Sequence, residues 1–412
     1  MNASSKRAVV TGLGVVAPTG IGARAHWEAV VAGKTGLGRI TRFDPSGYPV
    51  RHGGEVADEA LAQVPTRLVP QTDRWTQLAL AGAELALRDA RVDTATVPEY
   101  DMAVVTSSSS GGTTFGQSEM QRLYTQGPSW VGAYQSIAWF YAATTGQLSI
   151  RHGMRGPCGV FCEEQAGGLD VLGQASRLIS SGSRLVLSGG TDASLCPYGL
   201  VAQMATGHLS TVDDPGRAYL PFDADASGHL PGEGGAMIVV ESAADAASRG
   251  ARSYGRLLGH AAGFDPPPGS SRPPVLASVI DRSLRAAGLR PSDVDVVFAD
   301  ASGVPAHDHA EARAITEVFG AGRVPVTAPK TLTGRLYGGG AALDVATALL
   351  ALAAGVVPAT FGPSRLRADC EIDLVLDGAR NTGPAVALVL AKGHGGFTSA
   401  LLLGAGDRGL PD

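Results

Sequence analysis

The sequence predicts an α/β protein built from two similar halves, and three observations carry that expectation. Strand and helix signals alternate along the chain. The same alternation restarts after a Pro-rich segment, FDPPPGSSRPP at 264–274. The composition, with 56 Gly in 412 residues, 44% apolar residues and 6% aromatics, suits close packing of helices on sheets. Alternating β and α signals favour layered α/β architectures. A chain of this length buries a large core in about two or three domain-sized units.

In the first half, RAVVTGLGVV (7–16) reads as a strand, followed by Pro18, Gly20 and a short helix over 25–32. A longer helix is predicted over 75–90, a strand over 101–107 and a helix opening at Thr113 with TTFGQSEMQRLY. A helix over 168–180, a strand over 184–189 and a strand over 235–241 close this half. The second half begins with a helix over 275–287 and a strand in VDVVFADASG that ends in a polar turn at Asp300. A helix over 308–319, a short strand over 324–326, a small-residue helix over 338–354 and strands over 372–376 and 386–390 follow. Periodicity alone does not separate this scheme from other α/β repeats.

Charge and patterning narrow the function. A formal net charge of -5 with scattered Arg and no Lys/Arg run gives no nucleic-acid footprint and no membrane-surface patch. No uncharged apolar stretch of 18 residues exists, and MNASSKRAVV lacks the apolar core of a signal peptide, so a cytoplasmic location without membrane insertion is expected. Cys158, Cys162, Cys196 and Cys370 form no CxxC pair and read mostly as buried thiols of a reducing compartment.

The segment GPCGVFCEEQAGGLD, Gly156 to Asp170, carries the chemistry. Val160 and Phe161 pass through a polar turn into a Gly-rich helix start, a strand-to-helix elbow that presents one side chain at a positively poled N-terminus. Gln165 holds that place, and an amide cannot attack a carbonyl. Cys162 is the other conceivable nucleophile, but the neighbouring carboxylates Glu163 and Glu164 oppose thiolate formation. His307 and His309, beside Asp308 and Glu311, read either as an HxH ligand set or as exposed polar residues opening a helix; no metal is expected. Trp130, Tyr134, Trp139, Phe140 and Tyr141 crowd one segment of an aromatic-poor chain, as an interface or as an internal aromatic core. Thr113, Gly116 and Met120, at i, i+3 and i+7, share one helix face, which ordinary helix packing would also explain.

These motifs resemble the β-ketoacyl synthases of the thiolase superfamily, and Gln165 in CEEQAGGLD resembles the chain length factor, the ketosynthase β subunit of type II aromatic polyketide synthases. The likeness runs from VTGLGVVAPTG at Val10 through PFDADASGHLPGEGGAMIVVE at Pro221 to GGFTSALLL at Gly395. It implies a thiolase-like fold, two duplicated α/β halves (1–256 and 257–412) layered α-β-α-β-α. Condensing members use a Cys nucleophile, two His that stabilise the enolate, and a Lys. Here Gln165 stands at the Cys position, Asp300 of DASGV at the first His and Arg335 of TGRLYGGG at the second. Lys330 of APKTLTG is retained, and Glu311 of HAEARAI matches a family acidic residue. Asp300 and Arg335 are expected to form a buried ion pair.

The resemblance implies a noncatalytic partner of a ketosynthase α subunit, docked through the aromatic segment, with the polyketide tunnel along the interface. Substrates would arrive on the phosphopantetheine of an acyl carrier protein, with no other cofactor. Thr113, Phe115, Gly116 and Met120 would line the far end of the tunnel, and their small or pliable side chains imply a product of about ten or more acetate units. Phe in place of Thr113 or Gly116 would then shorten the product. Gln165 is open to three readings: a structural amide, a mimic of an acylated Cys that favours malonyl decarboxylation, or a neutral replacement. The competing function is a stand-alone malonyl decarboxylase, or a thioester acyltransferase using Cys162.

Overall fold

The structure, a computed structural model, describes residues 7–411 except 268 and 408. Most of the segment read against a signal peptide (1–6) and Pro268 of the Pro-rich segment lie outside the described residues. The first half carries β1 (Ala8–Ala17), β2 (Gly20–Ile21), α1 (Ala23–Val31), β3 (Leu37–Arg39), β4 (His52–Gly54), α2 (Arg74–Ala90), β5 (Met102–Ser107) and α3 (Thr113–Gln126). It continues with α4 (Gln135–Ala138), α5 (Ala143–His152), β6 (Cys158–Phe161), α6 (Gly167–Ser181), β7 (Leu185–Asp192), α7 (Pro197–Met204), β8 (Gly234–Ser242) and α8 (Ala243–Ser248). Then come β9 (Gly255–Phe264), α9 (Leu276–Ala287), β10 (Val296–Phe298), α10 (Pro305–Phe319), β11 (Pro325–Thr327), α11 (Gly340–Ala354), β12 (Asp373–Leu374), β13 (Val386–Lys392) and β14 (Phe397–Ala405).

The main sheet runs β12-β11-β10-β13-β14-β9-β1-β8-β7-β5-β6, with β2 beside β1. The duplication is visible in that order. Each half sets its first strand beside its last, then the penultimate, then two further strands in chain order: β1-β8-β7-β5-β6 and β9-β14-β13-β10-β11. In both, the outer pairs are parallel and the first, last and penultimate strands antiparallel. The halves join where Val9 and Val10 of β1 pair with Arg256 and Gly255 of β9. The division expected at 256/257 therefore falls within the first residues of β9.

Three apolar clusters define the layers. α2 and α5 cover the outer face of the first half, and α9 and α10 that of the second. α6 and α11 lie between, packed on strands of both halves, giving the α-β-α-β-α arrangement. α11 is apolar on every side, the pattern of a helix enclosed by protein. Residues 337–354 are long and apolar enough to cross a membrane, but this stretch is 89% buried and carries Asp344.

Most predicted elements fall within one or two residues of the observed ones. β2, β3, β4, β9, β14, α4, α5, α7 and α8 lie outside the predicted elements, the strand expected through VDVVFADASG stops at Phe298, and β12 is only two residues long.

Glycine sets the closest approach in the first half. A Cβ on Gly14 of β1 would lie 1.8 Å from the Gly82 carbonyl oxygen of α2, so strand and helix touch through backbone. Gly14→Ala should therefore destabilise the protein by about 1–3 kcal/mol through overpacking, read as a lower denaturation midpoint with an unchanged slope.

Candidate functional site

β6 leads through Cys162 and Glu163 into a tight turn over Glu164–Ala166 and then α6, the elbow expected from the sequence. Glu164 sits at φ 51, and Gln165 behind it is 1% exposed. In the amide orientation that satisfies its neighbours, Gln165 accepts from Lys330 Nζ and donates to the Tyr337 carbonyl, each at 3.2 Å. Its amide fills the space in front of α11, since a Cβ on Gly340 would lie 2.3 Å from the end of the Gln165 side chain. Lys330, on the turn Pro329–Leu332, also pairs at 2.7 Å with Asp344, the lone acid of α11.

Asp300 and Arg335, which the resemblance sets at the positions of two histidines, form one salt bridge. The Arg335 guanidinium meets Asp300 through both terminal nitrogens at 3.2 Å, Glu164 through Nε at 3.2 Å and the Lys392 carbonyl at 2.5 Å. Asp300 also accepts from Lys392 N at 3.0 Å, and Glu164 accepts from His394 N at 2.5 Å. Burial pushes the Asp300 carboxyl up, but Arg335 and then Lys330 outweigh it and hold the group below the usual aspartate range. The pair is thus ionised, and it ties the elbow to the segment 392–394. A carboxylate and a guanidinium already committed to each other cannot do the work of two neutral imidazoles.

Asp308 and Glu311 correct the sequence reading. They are buried, 0% and 2% exposed, rather than solvated at a helix start. Glu311 accepts from Asp300 N and Ala301 N at 2.7 and 2.8 Å, and Asp308 from Phe222 N and Gly303 N at 2.9 and 3.0 Å. Together they brace the 300–304 loop from α10. Burial, with the Asp300 charge second, raises Glu311 to about 8. His307 and His309 go to different partners. His307 meets His208 edge-on with ring centroids 4.9 Å apart, and His309 lies 3.2 Å from Asp369. His309, Asp369 and Cys370 offer ligand atoms within 4.8 Å of one another, a set the sequence reading missed. Arg367 already binds both Asp369 oxygens, and burial lifts the Cys370 thiol to about 11, which opposes metal binding. The expectation of mostly buried thiols holds only for Cys196 and Cys370, since Cys158 and Cys162 are exposed; at Cys162 partial desolvation and then Asp192 and Glu163 raise the thiol.

Strain gathers around this pocket. Of the five non-glycine residues with positive φ among the described residues, Glu164, Phe222, Ala301 and Tyr337 all belong to its walls or their supports. Such conformations cost about 1–3 kcal/mol each and persist only where surroundings impose them. The sequence reading passed over Glu164, Tyr337, Asp344 and Lys392 as pocket residues. A solitary acid in the apolar run of α11 was the one available signal.

On α3, Thr113 is 6% exposed and Met120 50%, with Phe115 half-buried between them. The open space expected beside Gly116 is taken by the chain itself, since a Cβ there would lie 2.8 Å from the Trp139 ring. The aromatic segment is no internal core: Trp130, Tyr134, Trp139, Phe140 and Tyr141 are 59, 41, 45, 56 and 37% exposed. Nearby, among the described residues, β6 pairs only with β5 and leaves its other edge open.

Comparison with known proteins agrees with this layout. The family profile "Beta-ketoacyl synthase, N-terminal domain" matches residues 5–246, and "Beta-ketoacyl synthase, C-terminal domain" residues 254–363. The tetracenomycin polyketide synthase ketoacyl synthase beta subunit of Streptomyces glaucescens is 57% identical over 96% of this chain and 97% of its own. Among solved structures, the ishigamide ketosynthase/chain length factor superposes with a TM-score of 0.89 at 26% identity, covering 97% of this chain and 99% of that one. A type II ketosynthase bound to the hexaketide and in complex with its acyl-carrier protein (AntDE:AntF) gives 0.87 at 26% identity, covering 97% and 99%.

The buried pair makes a direct prediction. Arg335→Leu leaves Asp300 uncompensated and should cost about 3–5 kcal/mol, whereas Asp300→Leu combined with Arg335→Leu should lie much closer to wild type in urea denaturation. Because the folded Asp300 pKa is depressed, its contribution is complete above the unfolded value of about 4 and fades as pH falls through the folded one. The double variant should lack that part of the acid sensitivity.

Proposed function

The chain belongs to the β-ketoacyl synthase family, among the ketosynthase β subunits of type II polyketide synthases, and from that premise we propose that it is a noncatalytic chain length factor. It pairs with a ketosynthase α subunit, shapes the tunnel in which the poly-β-ketone grows, and thereby sets the length of the product. One observation carries this reading. At the place of a condensing nucleophile stands a buried amide with both ends bonded within the chain, and at the places of two imidazoles stands a closed ion pair.

The exposed aromatics and the open edge of β6 support a large protein partner, because aromatic anchors and unpaired strand edges both favour association. The relative in complex with its acyl-carrier protein supports substrates delivered on phosphopantetheine, with that carrier as second partner. Four free thiols agree with a cytoplasmic setting. Gln165 acts first as a structural amide. A fall in acetyl-carrier-protein release after Gln165→Ala in the paired enzyme would give it a second role, imitating an acylated cysteine in priming. Along α3, Thr113, Phe115 and Met120 form the tunnel wall, and Gly116 acts indirectly by seating Trp139.

Two outcomes are expected. Supplied with malonyl thioesters and carrier protein, the purified chain alone neither condenses nor releases acetyl-carrier-protein, while the chain with its α subunit yields polyketide; turnover by the lone chain would overturn the proposal. Met120→Phe, at a half-exposed position that tolerates bulk, shortens the product by one or more acetate units when the products of the pair are separated by mass.

A further inference from the structure

α3 is weakly held by burial. Of its 14 residues only Thr113, Gly116 and Glu119 are buried, and its N-cap, Gly112, offers no side chain. Its placement falls to polar anchors on the segment that leads into it.

Asp192, the last residue of β7 and 0% exposed, holds the front of that segment. Its Oδ2 accepts from Ser109 N at 3.0 Å and Ser110 N at 3.4 Å, and its Oδ1 from the Ser110 hydroxyl at 2.6 Å. The same Oδ2 takes Gly338 N at 3.3 Å, beside the Gln165 pocket. Asp73, 2% exposed, holds the back. It caps α2 by accepting from Trp75 N through Oδ1 at 3.1 Å, and with Oδ2 it accepts from Phe115 N at 2.6 Å, an amide in the first turn of α3 that helix geometry leaves free. Between them the backbone of Gly112 lies against the aromatic segment, donating to the Trp139 carbonyl at 3.2 Å. One turn on, Glu119 accepts from Gly132 N at 2.5 Å.

Among the described residues no cation is hydrogen-bonded to either aspartate, and burial pushes both carboxyls up, Asp73 to about 7 against the opposing charge of Arg74. Two buried carboxylates without a directly bonded counter-ion cost stability. Their return is directional: hydrogen bonds fix one register for a helix that apolar contact alone would let slide.

We infer that Asp73 and Asp192 are positioning residues for product length, fixing α3 so that Thr113 and Met120 stand at one place along the tunnel without themselves meeting the growing chain. This rests on the reading of α3 as tunnel wall.

Asp73→Asn tests it. Asn caps helices as well as Asp does, but it has one acceptor oxygen where two N–H groups each need one, so the α2 cap survives at the expense of Phe115. Ser110→Ala removes only the hydroxyl contact to Asp192. Each variant is assembled with the ketosynthase α subunit, acyl carrier protein and malonyl-CoA, and the products are resolved by mass. The ratio of full-length to shorter and longer chains should fall several-fold in Asp73→Asn and less in Ser110→Ala, whatever the total yield. A purely structural role would lower melting temperature and yield together and leave the ratio at the wild-type value, which overturns the inference. Should Asp73→Asn fail to assemble, Ser110→Ala supplies the decision. Met120→Phe runs in parallel: if it shortens the product while both others leave the ratio unchanged, only the positioning role falls. If all three leave length unchanged, the tunnel reading falls and this inference with it.

Discussion

One guanidinium organises the pocket. Arg335 reaches Asp300 from the second-half loop after β10, Glu164 from the first-half elbow and the Lys392 carbonyl at the end of β13. Desolvating these ions costs several kcal/mol apiece, so the cluster is tolerable only because its geometry is bidentate and its remaining hydrogen-bonding groups are met by backbone. The two halves of the duplicated sheet converge on it. On the proposed reading, what would be the reacting centre of a condensing enzyme is here a structural joint.

The backbone around that joint keeps the marks of a working site. Glu164, Phe222, Ala301 and Tyr337 all hold left-handed conformations. The carboxylates of α10 still brace the 300–304 loop, and Lys330 still faces the elbow, now bonded to an amide. Architecture and reactivity have come apart: the frame that places a nucleophile also places a filler, because strand, turn and helix are set by packing and not by the side chain they present.

Much of this was legible in the residues. α6, β7, β8 and α11 were found because long apolar runs end in Gly or polar turns. Gln165, Lys330, Asp300 and Arg335 were named together because their flanking motifs survive where the reactive side chains do not. β9 escaped because GRLLGHAAGF scatters Gly and Ala with no alternation, and β14 because FTSALLLGA is an apolar run with no decisive period. Burial of Asp308 and Glu311 was hidden because acids near a helix start ordinarily face water, and the amides that hold them come from the 300–304 loop folding back and from the distant Phe222. The filling of Gly116 by Trp139 joins residues 23 positions apart through a loop, and no local pattern announces such a contact.

The open rim of β6 has a bearing on how cells must manage this protein. A strand edge left unmatched beside a field of bare aromatic rings is adhesive toward any extended segment it meets. If the proposed pairing covers this face, copies made in excess of the companion would invite chaperone capture or precipitation, and synthesis in step with it becomes part of the molecule's solubility. Dosage, on this view, is as much a property of the sequence as its fold.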